Sequence, residues 1–336
     1  MDLSVNYLGH KLKNPLIVGA SNLSLDLSKA LALEKAGVSA IVFKSLFEEQ
    51  INLESAQLED DLHEYDDRDP EMITLFPDIK HAGPKAHLMA LKKLKEKLTI
   101  PVFASLNCNY KESWDLYASY LVEAGADALE LNFYSAVSDG EKSAAEIEDK
   151  QIEILKIVKN KVDIPIAVKL SPYYTNPIAF IEKMDDAGLD SLVLFNRFFH
   201  PDIDIKREKL EMPYNLSTSN DSRLTIRYMG LLSNNVKADL CANTGIIKSE
   251  DLIAAILAGA DAVQVVSTIY KNGVDHISVM IDELELWMKS KNYRLINDFK
   301  GKLSKQQLKE PFAYSRGQYV DFILKAGDYS KKYPVK

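Results

Sequence analysis

The stretch KAGVSAIVFK at residues 35–44 returns as EAGADALELN at 123–132, DAGLDSLVLF at 186–195 and LAGADAVQVV at 257–266. Each copy reads as a helix end, a glycine able to take the left-handed C-cap conformation, a small turn and a buried apolar strand. Four copies of one joint predict a repeated helix-to-strand unit. The strands are near-continuous Val, Ile and Leu runs rather than alternating ones, as in a parallel sheet covered by helices. PLIVGA (15–20), PVFASL (101–106), PIAVKL (165–170) and ADLCAN (238–243) supply four more strands. Helical patterns such as DLSKALALEKAG, EIEDKQIEILKIVKNK and SEDLIAAILAG lie between them. Eight β/α units in about 300 residues predict an α/β fold of the (β/α)8 TIM-barrel type. The rival, a doubly wound sheet, does not normally use eight strands with near-equal joints.

Two connections are too long for simple turns. Residues 46–83, after the second strand, carry the acidic run ESAQLEDDLHEYDDRDPE, and RFFHPDIDIKREKLEMPYNLSTSN (197–220) follows the sixth. Long segments after strands commonly act as lids or substrate loops. The expected organisation is a barrel over 1–305 and an extension over 306–336 that packs on the barrel or on a partner.

Composition narrows the function. Of 336 residues, 46% are hydrophobic and 27% charged, and 41 Lys and Arg against 49 Asp and Glu give a net charge of −8. Nucleic acid receives no general electrostatic help from such a chain. The only cysteines, Cys108 and Cys241, have no metal or disulfide spacing, so no metal site is expected and a reducing cytoplasm is the expected location. The opening MDLSVNYLGHKLKNPLIVGA has no long apolar run before Pro15, so neither a secretion signal nor a membrane anchor is expected there.

In a TIM barrel the chemistry sits at the C-terminal ends of the strands. Those ends read Ala20-Ser21, Lys44-Ser45, Ser105-Leu106-Asn107, Asn132, Lys169, Asn196-Arg197, Asn243-Thr244-Gly245 and Ser267-Thr268. Lys44 and Lys169 each close an apolar run, and a lysine there needs an anionic or electron-rich partner; a snorkelling lysine at the rim is the alternative. Thr244 and Gly245, ahead of a helix expected from about Ser249, suit a phosphate cradle between strands seven and eight. The polar cluster after LELN includes Tyr134 and Ser135.

Taken in order, KNPLIVGAS, FKS, LELNFYS, IAVKLSP, FNR, NTGI and the late DFKGKL resemble the FMN-dependent dihydroorotate dehydrogenases over roughly residues 1–305. The resemblance implies FMN across the barrel mouth, with its phosphate on the amides of Thr244-Gly245-Ile246 and Ser267-Thr268. It implies flavin contacts from Ala20, Ser21, Lys44, Ser105, Asn132 and Lys169, and a pyrimidine-like substrate held by Lys44, Asn132 and Asn196. Ser135 falls on the position of the family's base, which takes a proton from C5 of dihydroorotate while hydride leaves C6 for the flavin. A serine hydroxyl serves only if its proton is passed on; a turn-capping Ser135 and a base at Cys108 are the alternatives.

The chain also departs from the family. Ala136 and Val137 stand where the family has Pro and Asn, the NxxGLxN loop after strand two is absent, Arg197 replaces a small hydroxyl residue, and Val266 replaces a glycine. Ligands lost from a substrate pocket change specificity strongly, so another pyrimidine or small unsaturated ring is a second expectation. A flavin-free lyase with Lys44 or Lys169 as Schiff-base nucleophile is a third. The start of the chain near its first strand resembles the soluble class of the family. A homodimer and, for NAD as acceptor, a separate electron-transfer partner go with that layout.

Overall fold

A computed structural model describes residues 1–51, 84–108, 110–134, 140–213 and 215–325. Ser135, Ala136 and Val137, most of the acidic connection and the end of the tail lie outside the described residues.

Eight parallel strands close into a barrel: β1 (Leu16–Val18), β2 (Ala40–Phe47), β3 (Val102–Asn107), β4 (Ala128–Asn132), β5 (Ile166–Leu170), β6 (Ser191–Leu194), β7 (Asp239–Ala242) and β8 (Ala262–Val265). They are hydrogen-bonded in chain order, and β8 pairs with β1. Helices α1 (Leu27–Ala36), α2 (Lys85–Lys97), α3 (Lys111–Glu123), α4 (Ala144–Lys161), α5 (Pro177–Asp186), α6 (Ser222–Leu232) and α7 (Ser249–Ala258) each follow the strand of the same number, and α8 (Ser267–Asn272) and α9 (His276–Ser290) follow β8. The (β/α)8 architecture expected from the repeated joint is the one observed.

Local chemistry starts and stops these helices. Asp26 accepts from the Ser28 and Lys29 amides at 2.9 and 3.3 Å ahead of α1, and Ser143 and Glu146 form a reciprocal capping box ahead of α4. The joint glycines Gly37, Gly125, Gly188 and Gly259 all have positive φ, from 89 to 128°, which releases the chain from the helix into the next strand.

The residue two positions after each joint glycine forms a clasp. Asp127 accepts from the Val102 amide at 2.7 Å, Asp190 from Ile166 at 2.8 Å and Asp261 from Leu240 at 2.8 Å, while the Ser39 hydroxyl accepts from Asn14 at 2.9 Å. Every even-numbered strand thus holds the start of the odd-numbered strand before it. Lys95 and Lys159 pair with Asp127 and Asp190 at 2.6 Å, and Lys300 pairs with Asp261. The joint therefore repeats because the barrel is assembled from four βαβα quarters.

A hairpin of Val5–Tyr7 and His10–Leu12 plugs the bottom of the barrel. Tyr7 is fully buried there and accepts a hydrogen bond from Ser191 at 2.9 Å; burial raises its phenol well above the ordinary range. After β6 the chain makes an exposed antiparallel hairpin of Asp202–Asp204 and Lys209–Glu211. The extension lies outside the barrel, where Tyr314 covers Gly230 of α6 and Arg227 donates to the carbonyls of Ala313 and Tyr314 at 3.3 Å. Among the described residues no helix is long and apolar enough to cross a membrane.

Candidate active site

The strand ends surround a cavity of about 520 Å3, a size typical of small-molecule sites. Its floor comes from strand alternation. Residues two apart share a face, so in β4 Glu130 and Asn132 point into the barrel while Leu129 and Leu131 face the helices. The same rule directs Lys169 of β5 and Gln264 of β8 inward. Gln264 donates to Glu130 Oε2 at 2.6 Å, Lys169 Nζ lies 3.5 Å from Glu130 Oε1, and Lys169 donates to Gln264 Oε1 at 3.4 Å. Glu130 is 1% exposed and Lys169 8%. Two charges so far from water persist only by facing each other. Lys169 and Gln264 reach the cavity wall, with Glu130 beneath them.

Lys44 and Ser45 are brought in by an irregularity. The register of β2 on β3 runs Phe43 to Ala104 and then Leu46 to Leu106, so β2 carries one extra residue at Lys44-Ser45. Such a bulge breaks the alternation and re-aims side chains, and both residues border the cavity. The Lys44 amide is held by Ser24 Oγ at 2.8 Å, and Ser45 Oγ lies 2.7 Å from Ser105 Oγ.

On the opposite wall, the amide of Asn196 donates to Leu170 O at 2.8 Å and its side chain to Lys169 O at 3.4 Å. Asn243 Nδ2 and Thr244 Oγ1 both donate to Phe195 O, at 2.8 and 2.9 Å. Thr244 and Gly245 have φ of 77 and 80°. A Cβ on Gly245 would lie 2.1 Å from the Ser222 nitrogen at the start of α6, so only glycine fits. Ser217 closes this side, its amide donating to Ser267 Oγ at 3.1 Å and its carbonyl accepting from Lys271 at 2.6 Å.

Of the residues expected from sequence, Ala20, Ser21, Lys44, Asn132, Lys169, Asn196, Thr244, Gly245 and Ser267 border this one cavity. Ser105 and Thr268 do not. Ser105 is fully buried behind Ser45, and the Thr268 hydroxyl is turned away to donate to Ile247 O at 2.6 Å and accept from Asn272 at 3.0 Å. Ser135 lies outside the described residues; its neighbour Tyr134 lines the cavity and stacks on Phe198, ring centroids 4.4 Å apart. Cys108 is buried away from the wall, and burial, with Glu48 and Glu49 nearby, pushes its thiol up, which opposes a role as base. Glu130, Gln264 and Asn215 to Ser217 were not anticipated as site residues. A Glu and a Gln inside otherwise apolar strands were a legible sign of a buried pair, whereas the loop residues carry no periodic signal.

The wall suits a polar, phosphate-bearing ligand. Among the described residues Ser21 Oγ, Asn132 Oδ1 and Arg197 Nη1 are buried without a hydrogen-bond partner, a condition native interiors rarely leave uncorrected. Residues 244–246 and Ser267 bring backbone to the same wall, and the glycine permits close approach there. Ser21, Asn132 and this stretch of backbone fit a flavin mononucleotide.

The dihydroorotate dehydrogenase family profile matches residues 79–288, more than half of the sequence. The catalytic subunit of dihydroorotate dehydrogenase B (NAD(+)) from Methanocaldococcus jannaschii is 25% identical over 306 residues, 87% of this chain and 95% of that protein. Its counterpart from Thermoplasma acidophilum is 27% identical over 305 residues, 89% of this chain and 98% of that one. Dihydroorotate dehydrogenase A (fumarate) from Lactobacillus helveticus is 28% identical over 225 residues, 62% and 72% of the respective chains.

Proposed function

Because the chain belongs to the dihydroorotate dehydrogenase family, a family of flavin-dependent oxidoreductases acting on CH–CH bonds, we propose that it binds FMN and oxidises dihydroorotate to orotate in pyrimidine biosynthesis. The observation that carries the reading is the convergence of Lys44, Asn132, Lys169 and Asn196 on one cavity whose floor is the Lys169–Glu130–Gln264 cluster.

When bound, the flavin supplies the acceptor for the hydride that leaves C6 of the substrate. Lys44 and Lys169 offer cations to the electron-rich ring systems, and a cation near a flavin's pyrimidine edge favours its reduced, anionic form. Asn132, with an unpartnered Oδ1, and Asn196 offer amides to the substrate ring. Ser135 takes the C5 proton and passes it to water, leaving a C5–C6 double bond. The phosphate is received by the backbone at Thr244 to Ile246 and at Ser267. Glu130, 3.5 Å from Lys169 Nζ, gives that lysine the partner a cation needs, whereas an imine-forming lysine must be a neutral amine; a Schiff base at Lys169 is disfavoured accordingly.

A cytoplasmic location, a homodimer and a separate electron-transfer partner belong to the same proposal. Anaerobic titration with dihydroorotate tests it: the flavin, released as FMN on denaturation, should bleach stoichiometrically. An unbleached flavin at millimolar dihydroorotate would refute the substrate assignment, and a protein that takes up no FMN would refute the cofactor assignment.

A further inference from the structure

We propose that Arg197 is the residue by which this enzyme selects a ring substrate carrying a carboxylate, an assignment that rests on the function proposed above. Three cationic side chains, Lys44, Lys169 and Arg197, border the cavity, and among its described lining residues there is no Asp or Glu. Lys169 is compensated from beneath by Glu130 at 3.5 Å. Among the described residues Arg197 has no such ion-pair partner, and its Nη1 is buried without a hydrogen bond. A guanidinium nitrogen withdrawn from water with nothing to receive its protons is costly. The site is therefore complete only when a ligand brings an acceptor to that point. The planar guanidinium fork matches a carboxylate with two parallel hydrogen bonds.

Two observations assign this anion to the substrate rather than to the cofactor phosphate. Arg197 directly follows Asn196, whose amide and side chain are tied to β5 at Leu170 and Lys169, so it adjoins a side chain proposed above to hold the substrate ring. The backbone at Thr244 to Ile246 and at Ser267 already offers donors for the phosphate. The chain also has Ala136 and Val137 where the family it resembles has Pro and a substrate-binding Asn, and Arg197 compensates for the lost ligand.

The test uses the FMN-loaded protein and the spectral change of its oxidised flavin on titration with orotate and with uracil, the same ring without the carboxylate. The wild type should bind orotate at least about tenfold more tightly than uracil, as expected for a charge-assisted bidentate contact. Arg197→Gln should lower orotate affinity by about 30-fold, as for truncation of one partner of a buried pair, and leave uracil affinity and flavin content unchanged. Arg197→Lys should retain part of the preference. The assignment is overturned if the wild type does not prefer orotate, if Arg197→Gln keeps the preference or weakens both ligands equally, or if that variant loses FMN instead. Flavin reduction by dihydroorotate, followed in parallel, answers a separate question. Its absence alongside Arg197-dependent orotate binding counts against the proposed oxidation and not against the carboxylate site.

Discussion

Lys169 and Glu130 are each intelligible only through the other. Removing either partner leaves a charge in the barrel with 10% or less of its side chain in water. Lys169→Met or Glu130→Leu should therefore destabilise the flavin-free protein by about 3–5 kcal/mol, while the double variant costs much less than the sum. Urea denaturation of the four proteins measures the coupling, and additive costs would show that the pair does not act as one. His87 makes a different prediction. Burial, and secondarily the charge of Lys44, lowers its imidazole from 6.5 to about 4, and its Nε2 has no partner. The unfolded chain binds the proton more readily, so stability from neutral His87 is present above pH 6.5 and lost as pH falls through about 4. The loss amounts to about 3 kcal/mol. Denaturation midpoints between pH 4 and 7 should fall less steeply in His87→Phe, and an unchanged slope would assign the acid sensitivity to other groups. For the proton transfer, Ser135→Ala should slow flavin reduction by about a hundredfold or more while leaving FMN bound; stopped-flow rates equal to wild type would move the base role elsewhere.

At the scale of the element, the aspartates after the joint glycines do the same work three times. Asp127, Asp190 and Asp261 each receive an amide from the first two residues of the preceding odd strand and a lysine. Asp190→Ala leaves the part-buried Ile166 amide without its acceptor and should cost about 1–3 kcal/mol, with similar values for the other two; thermal melts of the three variants check this. These joints are what made the fold legible, because a helix end, a left-handed glycine and a buried strand must follow one another in sequence. The site was legible where a polar residue ends an apolar run, as at Asn132, Lys169 and Asn196. Lys44 was expected as well, but the register break that sets Ser45 beside it on the cavity was not legible. The extra residue at Lys44-Ser45 puts adjacent side chains on one wall, which no two-residue period predicts, and it leaves Ser105 behind Ser45. The Thr268 hydroxyl is turned from the cavity for a related reason: helix α8 starts at Ser267, so the next side chain turns back to Ile247 O.

The described residues form a barrel plugged at one end by the Tyr7 hairpin, bearing the cavity at the other, and overlaid on its flank by the extension. The extension's hold depends on Gly230, where a Cβ would lie 2.0 Å from the Tyr314 hydroxyl. Gly230→Ala should therefore destabilise the full-length protein. In a protein ending at Lys305 the same change should stabilise α6 by about 0.5–1 kcal/mol, since alanine is the better helix former; denaturation curves that shift in the same direction in both backgrounds would show that Tyr314 does not rest on Gly230. The four clasps also bear on how the molecule opens. Each links residues only 21 to 25 positions apart, so the smallest piece that retains its own fastening is a pair of units. Native-state hydrogen exchange should reflect this, with the amides of Val102, Ile166 and Leu240 exchanging in step with β4, β6 and β8 respectively, and the breaks between cooperative blocks falling after α2, α4 and α6.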